Sequence, residues 1–338
     1  MRVCVLTTSY PRFAGDASGA FVADQVEQLR RAGAEVVVVS PADFSHLGVA
    51  FGAGIVQNLR ARPWLLAALP LFFARFARAA RRAARGCDVV HAHWLVSALP
   101  ALATGKPFVL QPWGTDAELA RRLPFAVRPV VRRAAAVVCA SRYLAGRARA
   151  LGAGQVAVVP LGVELPARVA EPERPPHVLY VGRLSEEKGV RDFLAASEGL
   201  PRVVVGDGPL RAQVPDAAGF VAHERLGECY ERAAIVCVPS RREGYGAVAR
   251  EAMAYGRPVV ATSVGGLVDA VVDEETGLLV EPGNPVQLRG ALERLLGDPV
   301  LAARLGANAR AAAERDYSWP AATAALLALY DEVSRRTT

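Results

Sequence analysis

Short runs of β-branched and other apolar residues recur along the chain, and between them apolar positions repeat near every 3.6 residues. In the first half the runs are VCVLTT (3–8), EVVVVSP (35–41), DVVHAHW (88–94), PFVLQP (107–112), AAVVCAS (135–141) and VAVVP (156–160). A second series follows: VLYVG (178–182), RVVVGDG (202–208), IVCVPS (235–240), PVVATS (258–263) and GLLVEPG (277–283). Runs apolar at successive positions predict strands buried on both faces, as in parallel sheets whose crossovers are helices. The helical pattern at 21–32 is stopped by Gly33, and a last one at 317–333 begins at Ser318 with a proline in its first turn. Between the two series lies LPARVAEPERPPH (165–177), whose prolines and charges predict an exposed linker. The predicted organisation is α/β, with two doubly wound domains (1–164 and 178–316) facing across a cleft, the linker 165–177, and a C-terminal helix within 317–338. Ligands of such sheets bind beyond the carboxyl ends of the strands, so residues just after the runs are the candidates for function.

Length and composition agree: 338 residues exceed one ordinary core, and 52% hydrophobic with 22% charged residues is the balance of a folded protein. The longest apolar stretch, 64–74, is cut by Arg75 well short of the roughly 20 residues a bilayer requires, so no transmembrane helix is expected. The opening residues lack the pattern of a signal peptide, and the five cysteines form no Cys-x-x-Cys pair; both favour a reducing cytoplasm. The net charge is +7 and almost entirely arginine, Lys106 and Lys188 being the only lysines. That scarcity makes a lysine at a strand end informative.

Two strand ends carry chemistry. After VLYVG comes RLSEEKG, with Arg183 at the strand's end and Lys188 at the start of a predicted helix. A forked guanidinium and a compact ammonium together suit a diphosphate; the alternative is a solvated surface pair. After IVCVPS comes RREGYGAVAREAMA, in which Glu243 precedes a tight turn through Gly244, Tyr245 and Gly246, and a helix carries Glu251. The amides of Gly246, Ala247 and Val248 at that helix's start, aided by its dipole, predict an anion site. Ionised carboxylates would repel a phosphate but accept two bonds from a vicinal diol, so Glu251, leaning back along the helix, suits a ribose and Glu243 a sugar. On the plainer alternative, Glu243 is an exposed loop residue and Glu251 a charge favoured near a helix N-terminus.

Together these segments resemble the retaining nucleotide-sugar glycosyltransferases of the GT-B fold, family 4 (glycosyl transferases group 1). The two glutamates of that family, seven residues apart, read here as Glu243-GYGAVAR-Glu251. The resemblance also covers SYPRFAGDASGAFVADQVEQLRRAGAEVVVVSP, HAHW (91–94), WGTD (113–116), VPLGV (159–163), GDGP (206–209) and GRPVVATSVGG. It implies two Rossmann-like domains, an acceptor side in the first and a nucleotide-sugar site in the second, with the last helix crossing back to the first. It implies a hexosyltransferase that passes a sugar with retention from an NDP-sugar to a glycan, lipid-linked or small-molecule acceptor. Arg183 and Lys188 would hold the diphosphate, Glu251 the ribose, and Glu243 with Gly244, Tyr245, Gly246, Ala247 and Val248 the sugar and distal phosphate. Gly15 or Gly19 would cover the diphosphate from the other domain.

Many members carry a histidine before the Gly-Thr/Ser-Asp turn, and here Trp113 stands there. Tryptophan exchanges no proton, which leaves its carbonyl and ring as the expected contacts with a sugar. Asp116 either orients the acceptor hydroxyl or caps the helix after it. No Asp-x-Asp occurs, and His91 and His93 lack a third ligand, so neither a metal nor another cofactor is expected. The basic stretch 60–85 is either an amphipathic surface for anionic lipid at the inner membrane face or a core helix with a solvated face. No basic patch with interleaved aromatics points to nucleic acid. A nucleotide-sugar epimerase and a non-catalytic nucleotide-sugar-binding protein are the competing readings. A nicotinamide dehydrogenase is disfavoured, since no Gly-x-Gly-x-x-Gly follows the first strand.

Overall fold

The computed structural model describes residues 1–13, 16, 18–51, 54–113, 116 and 123–336. The chain divides into two compact units, Met1–Leu161 with Ala322–Thr338, and Gly162–Ala321.

In the first unit, β1 (Arg2–Leu6), β2 (Glu35–Val39), β3 (Val89–His93), β4 (Phe108–Gln111), β5 (Ala136–Cys139) and β6 (Val156–Val158) form one sheet in the order β2-β1-β3-β4-β5-β6. Every pairing is parallel. Both faces are covered, as the unbroken apolar runs require. On one face Cys4, Leu6 and Leu110 pack with Phe72 and Phe76; on the other Val3, Val5 and Val109 pack with Val22, Val26, Leu326 and Tyr330. Successive residues of one strand thus serve two cores. The second core includes the C-terminal helix Trp319–Arg335, whose first turn holds Pro320.

The second unit repeats the plan with β7 (Val178–Val181), β8 (Arg202–Val205), β9 (Ile235–Val238), β10 (Val259–Thr262) and β11 (Gly277–Val280), in the parallel order β11-β10-β9-β7-β8. Leu179, Val236 and Val259 face one core and Val178, Tyr180 and Cys237 the other. Strand order reverses between β7 and β9, and a doubly wound sheet opens a crevice at such a point. Arg183 and Lys188 follow β7, and Glu243 follows β9.

The stretch 60–85 forms the end of helix Ile55–Ala61, a 3₁₀ segment Pro63–Ala68 and the helix Leu69–Ala83. Phe72, Phe76 and Ala80 bury one stripe of the last, while Arg78, Arg82 and Arg85 stay exposed. One stripe packs on the core and the basic face is exposed. Among the described residues, no helix is long and apolar enough to cross a membrane.

Candidate functional site

The reversal between β7 and β9 holds a pocket lined by Tyr180, Gly182, Lys188, Ser240, Glu243 and Val248. After β7 the chain makes a 3₁₀ turn, Glu186–Lys188, and Gly189 (φ 67°) caps the helix Val190–Ala196. A Cβ on Gly189 would stand 1.9 Å from the Pro239 carbonyl oxygen, so only glycine lets the two strand-end loops approach this closely. Two further ties fix them: the Arg241 amide donates to the Glu187 carbonyl (2.9 Å), and the Arg241 guanidinium forks onto Asp192 (2.9 and 2.9 Å). Tyr180 hydroxyl, rising from the sheet, donates to the Arg183 carbonyl (3.1 Å).

The outcome is that Lys188 Nζ donates to Glu243 Oε2 at 2.6 Å, across 55 positions of sequence, with side-chain exposures of 32% and 14%. Ser240 Oγ donates to the same oxygen (3.3 Å), and the Gly244 amide to Oε1 (3.2 Å). Arg183, by contrast, is exposed, and its guanidinium makes no hydrogen bond among the described residues. Beyond Glu243 the chain turns through Gly244 and Tyr245 to Gly246, whose φ of 81° caps the helix Ala247–Ala254. The amides of Gly246, Ala247 and Val248 donate to nothing among the described residues, as expected for the first turn of a helix. Half-buried Glu251 lies further along that helix and accepts from Tyr230 hydroxyl at 2.6 Å. Burial and the neighbouring Glu251 carboxylate both push the Tyr230 phenol well above its ordinary range, so it stays a donor. Sequence reasoning missed Tyr230, since nothing in LGECYER marks it; Glu251 is 21 residues away.

The remaining predicted residues lie in the first unit. Gly19 (φ 68°) caps the helix Ala20–Arg31, and a Cβ there would meet the Ser9 carbonyl oxygen at 2.2 Å. Gly15, and Gly114 and Thr115 of WGTD, lie outside the described residues. Trp113, 9% exposed, sets its ring edge-on to Phe21 (4.6 Å) and parallel to His93 (6.1 Å). Its carbonyl accepts from the Asp116 amide (2.9 Å). The ring thus packs within the unit with its Nε1 unpartnered among the described residues, and the carbonyl accepts one bond there. Asp116, 4% exposed, accepts from the Trp113 amide (2.8 Å) and the Leu95 amide (3.2 Å). Its acceptance from Leu95 caps the helix Leu95–Leu102; the helix expected after it lies outside the described residues. Burial raises its pKa to about 7 against the opposing pull of those two amides. Beside it, a cavity of about 200 Å³ is lined by Leu95, Leu110, Trp113, Val131, Arg128 and Arg147 among others.

His91 and His93 are buried neighbours, with ring centroids 4.2 Å apart. Burial drives His91 down to about 3 and His93 well below its ordinary value, so both are neutral in the fold. His91 Nδ1 bonds Tyr330 hydroxyl at 2.5 Å. Among the described residues, no three His, Cys, Asp or Glu side chains gather as a metal site.

Two parallel sheets with helices on both faces, the second with cations and carboxylates at its reversal point, define a nucleotide-type α/β architecture. Comparison with known proteins gives it a family. The profile of Glycosyl transferases group 1 matches residues 164–312, and that of Glycosyltransferase Family 4 matches residues 18–166. A glycogen synthase of Mycobacterium tuberculosis is 30% identical over 283 residues, covering 72% of this chain and 68% of that protein. A D-inositol 3-phosphate glycosyltransferase of Xylanimonas cellulosilytica is 36% identical over 189 residues, covering 50% of this chain and 45% of that protein. The chain thus spans about half the length of the first curated relatives it matches. A sucrose-phosphate synthase structure from Thermosynechococcus elongatus superposes with a TM-score of 0.81 at 24% identity, covering 98% of each chain. The fold is GT-B, and the chain belongs to the group 1, family 4 glycosyltransferases.

Proposed function

We propose that the chain transfers a glycosyl group, with retention and without a metal, from a uridine or guanosine diphosphate sugar to an acceptor hydroxyl. The observation that carries this reading is the 2.6 Å Lys188–Glu243 pair in the pocket between the ends of β7 and β9. An arriving diphosphate competes with Glu243 for Lys188: the ammonium turns to the phosphate, and the released carboxylate accepts the sugar's hydroxyls. Arg183 and the amides of Gly246, Ala247 and Val248 complete the anion site, Glu251 takes the ribose, and Gly244 and Tyr245 border the sugar. As the bond from anomeric carbon to phosphate oxygen breaks, these fixed donors meet the growing charge. The acceptor oxygen then bonds that carbon, and its proton passes to the departing phosphate oxygen. Asp116, with both oxygens already accepting amides, positions Trp113 and the Leu95 helix in this account.

Names of relatives support the class of reaction, an inositol phosphate and a glucan being what two of them act on or make. Incubation with a panel of UDP- and GDP-sugars tests the reading. One donor raises the melting temperature and slowly releases its nucleoside diphosphate, and Glu243→Ala abolishes the release. Epimerised sugar in place of release would favour the competing enzyme, and binding without either reaction a non-catalytic role.

For the acceptor, we propose a lipid-linked molecule met at an anionic membrane surface. Between Asp43 and Asp88 the sequence holds seven arginines and no acidic residue. In the same stretch Trp64 (67%) and Leu66 (57%) are exposed beside the arginine-bearing helix, a composition suited to lipid headgroups. Flotation with phosphatidylglycerol vesicles tests it: the wild type floats and Arg78→Glu with Arg82→Glu does not. Equal flotation overturns the lipid reading and leaves the donor reading untouched.

A further inference from the structure

One residue before Glu251, the helix Ala247–Ala254 carries a buried arginine. Arg250 is 1% exposed and heads the largest fully buried side chains. No carboxylate pairs with it among the described residues. Its Nη1 donates to the Tyr245 carbonyl and, at 3.5 Å, to the Gly246 carbonyl, while Nε has no partner. The guanidinium carbon lies 4.0 Å from the centroid of the Tyr245 ring and 4.8 Å from that of Tyr317. Two carbonyl dipoles and two ring faces hold the cation, but no charge neutralises it.

Its place makes this costly arrangement informative. It sits under the first turn of a helix, where the dipole is already positive, so the two fields add and favour an anion outside the turn. The peptide plane supplies the geometry. In a trans peptide the carbonyl and N–H point in opposite directions, so drawing the Tyr245 carbonyl inward to Arg250 turns the Gly246 N–H outward. The amides of Ala247 and Val248 follow without acceptors, and Val248 lines the pocket that holds Lys188 and Glu243.

We infer that Arg250 is a positioning residue and buried counter-charge for a phosphate of the nucleoside diphosphate donor. It orients the 244–246 turn so that its amides face the phosphate, and its charge is balanced when the phosphate arrives. The inference rests on the donor reading above and deepens it. A purely structural arginine would stabilise the free protein; this one makes the free protein less stable and the complex more so.

Inorganic pyrophosphate, which carries no base or sugar, is the probe. Calorimetric titration of the full chain compares the wild type, Arg250→Met and Arg250→Lys, alongside the melting temperature of each without ligand. Arg250→Met melts at or above the wild-type temperature yet binds pyrophosphate about tenfold or more weakly, about 1.4 kcal/mol, as its buried charge no longer balances the phosphate and the turn is no longer held. Arg250→Lys, which keeps the charge, binds between the two. Should Arg250→Met not fold, Arg250→Gln takes its place with the same expected loss. Binding by the neutral variant within twofold of wild type, or equal weakness of the lysine and neutral variants, overturns the inference while the donor reading stands. A wild type that binds neither pyrophosphate nor any nucleoside diphosphate sinks the donor reading, and this inference with it.

Discussion

The strand ends of the two units use charge in opposite ways. In the second unit Lys188 pairs with Glu243 at the pocket, Glu251 accepts from Tyr230, and buried Arg250 donates to the Tyr245 carbonyl. In the first, Asp116 accepts two amides, the His91–His93 pair is neutral, and the Trp113 ring is wedged between Phe21 and His93. One repeated architecture thus yields a partly exposed pair of opposite charges in one unit and, in the other, buried polar groups of which some are bonded and others, such as His93 Nδ1 and Trp113 Nε1, have no partner among the described residues.

The sharpest way to break this contrast is to remove the exchangeable charges. Lys188→Ala and Glu243→Ala should each lower glycosyl transfer by about 10²–10³, the usual loss for one preorganised electrostatic group, with little change in melting temperature. Steady-state kinetics beside calorimetry checks both halves. Asp116→Ala should do the reverse. Loss of a buried cap costs about 2 kcal/mol of stability and leaves two amides unsatisfied, while donor affinity in the second unit is unchanged. Urea unfolding beside donor titration would show it.

The comparison also bears on what the sequence could reveal. Both parallel sheets were legible, because every β-branched run from VCVLTT to GLLVEPG is apolar at consecutive positions and became a strand. Glu243, Glu251, Arg183 and Lys188 were legible as candidates because they follow strands and stand in family motifs. Their partners were not. Lys188 meets Glu243 only because β7 and β9 are neighbours in the sheet, and Tyr230 reaches Glu251 from another helix. Arg250 sits among Ala247, Ala249 and Ala252, and a basic residue in that small-residue run was its one signal. The direction of Asp116 was equally hidden: its acceptance from Leu95, 21 residues upstream, depends on adjacent ends of β3 and β4.

Smaller effects sharpen the picture. Tyr230→Phe should raise KM for the donor up to about tenfold with kcat nearly unchanged, since it loosens a carboxylate assigned to binding alone. The effect should vanish with a donor lacking the ribose hydroxyls. Acidification should weaken the first unit. Below pH 6.5 the unfolded chain takes up protons on His91 and His93 that the fold refuses, so their contribution is present above that pH and falls away below it, that of His91 down to about pH 3. Asp116 opposes this: its folded pKa of about 7 exceeds the ordinary 3.8, so its contribution is present at low pH and lost as pH rises between those values. Asp116→Asn should therefore steepen the acid loss of melting temperature between pH 4.5 and 6.5, and His91→Gln should flatten it.

Calorimetric titration of the wild type and Lys188→Ala with a panel of UDP- and GDP-sugars tests the central claim most directly. One of these donors should bind the wild type in one-to-one stoichiometry and bind Lys188→Ala at least about tenfold more weakly. A donor that binds both proteins equally well, or a wild type that binds none of them, would contradict it.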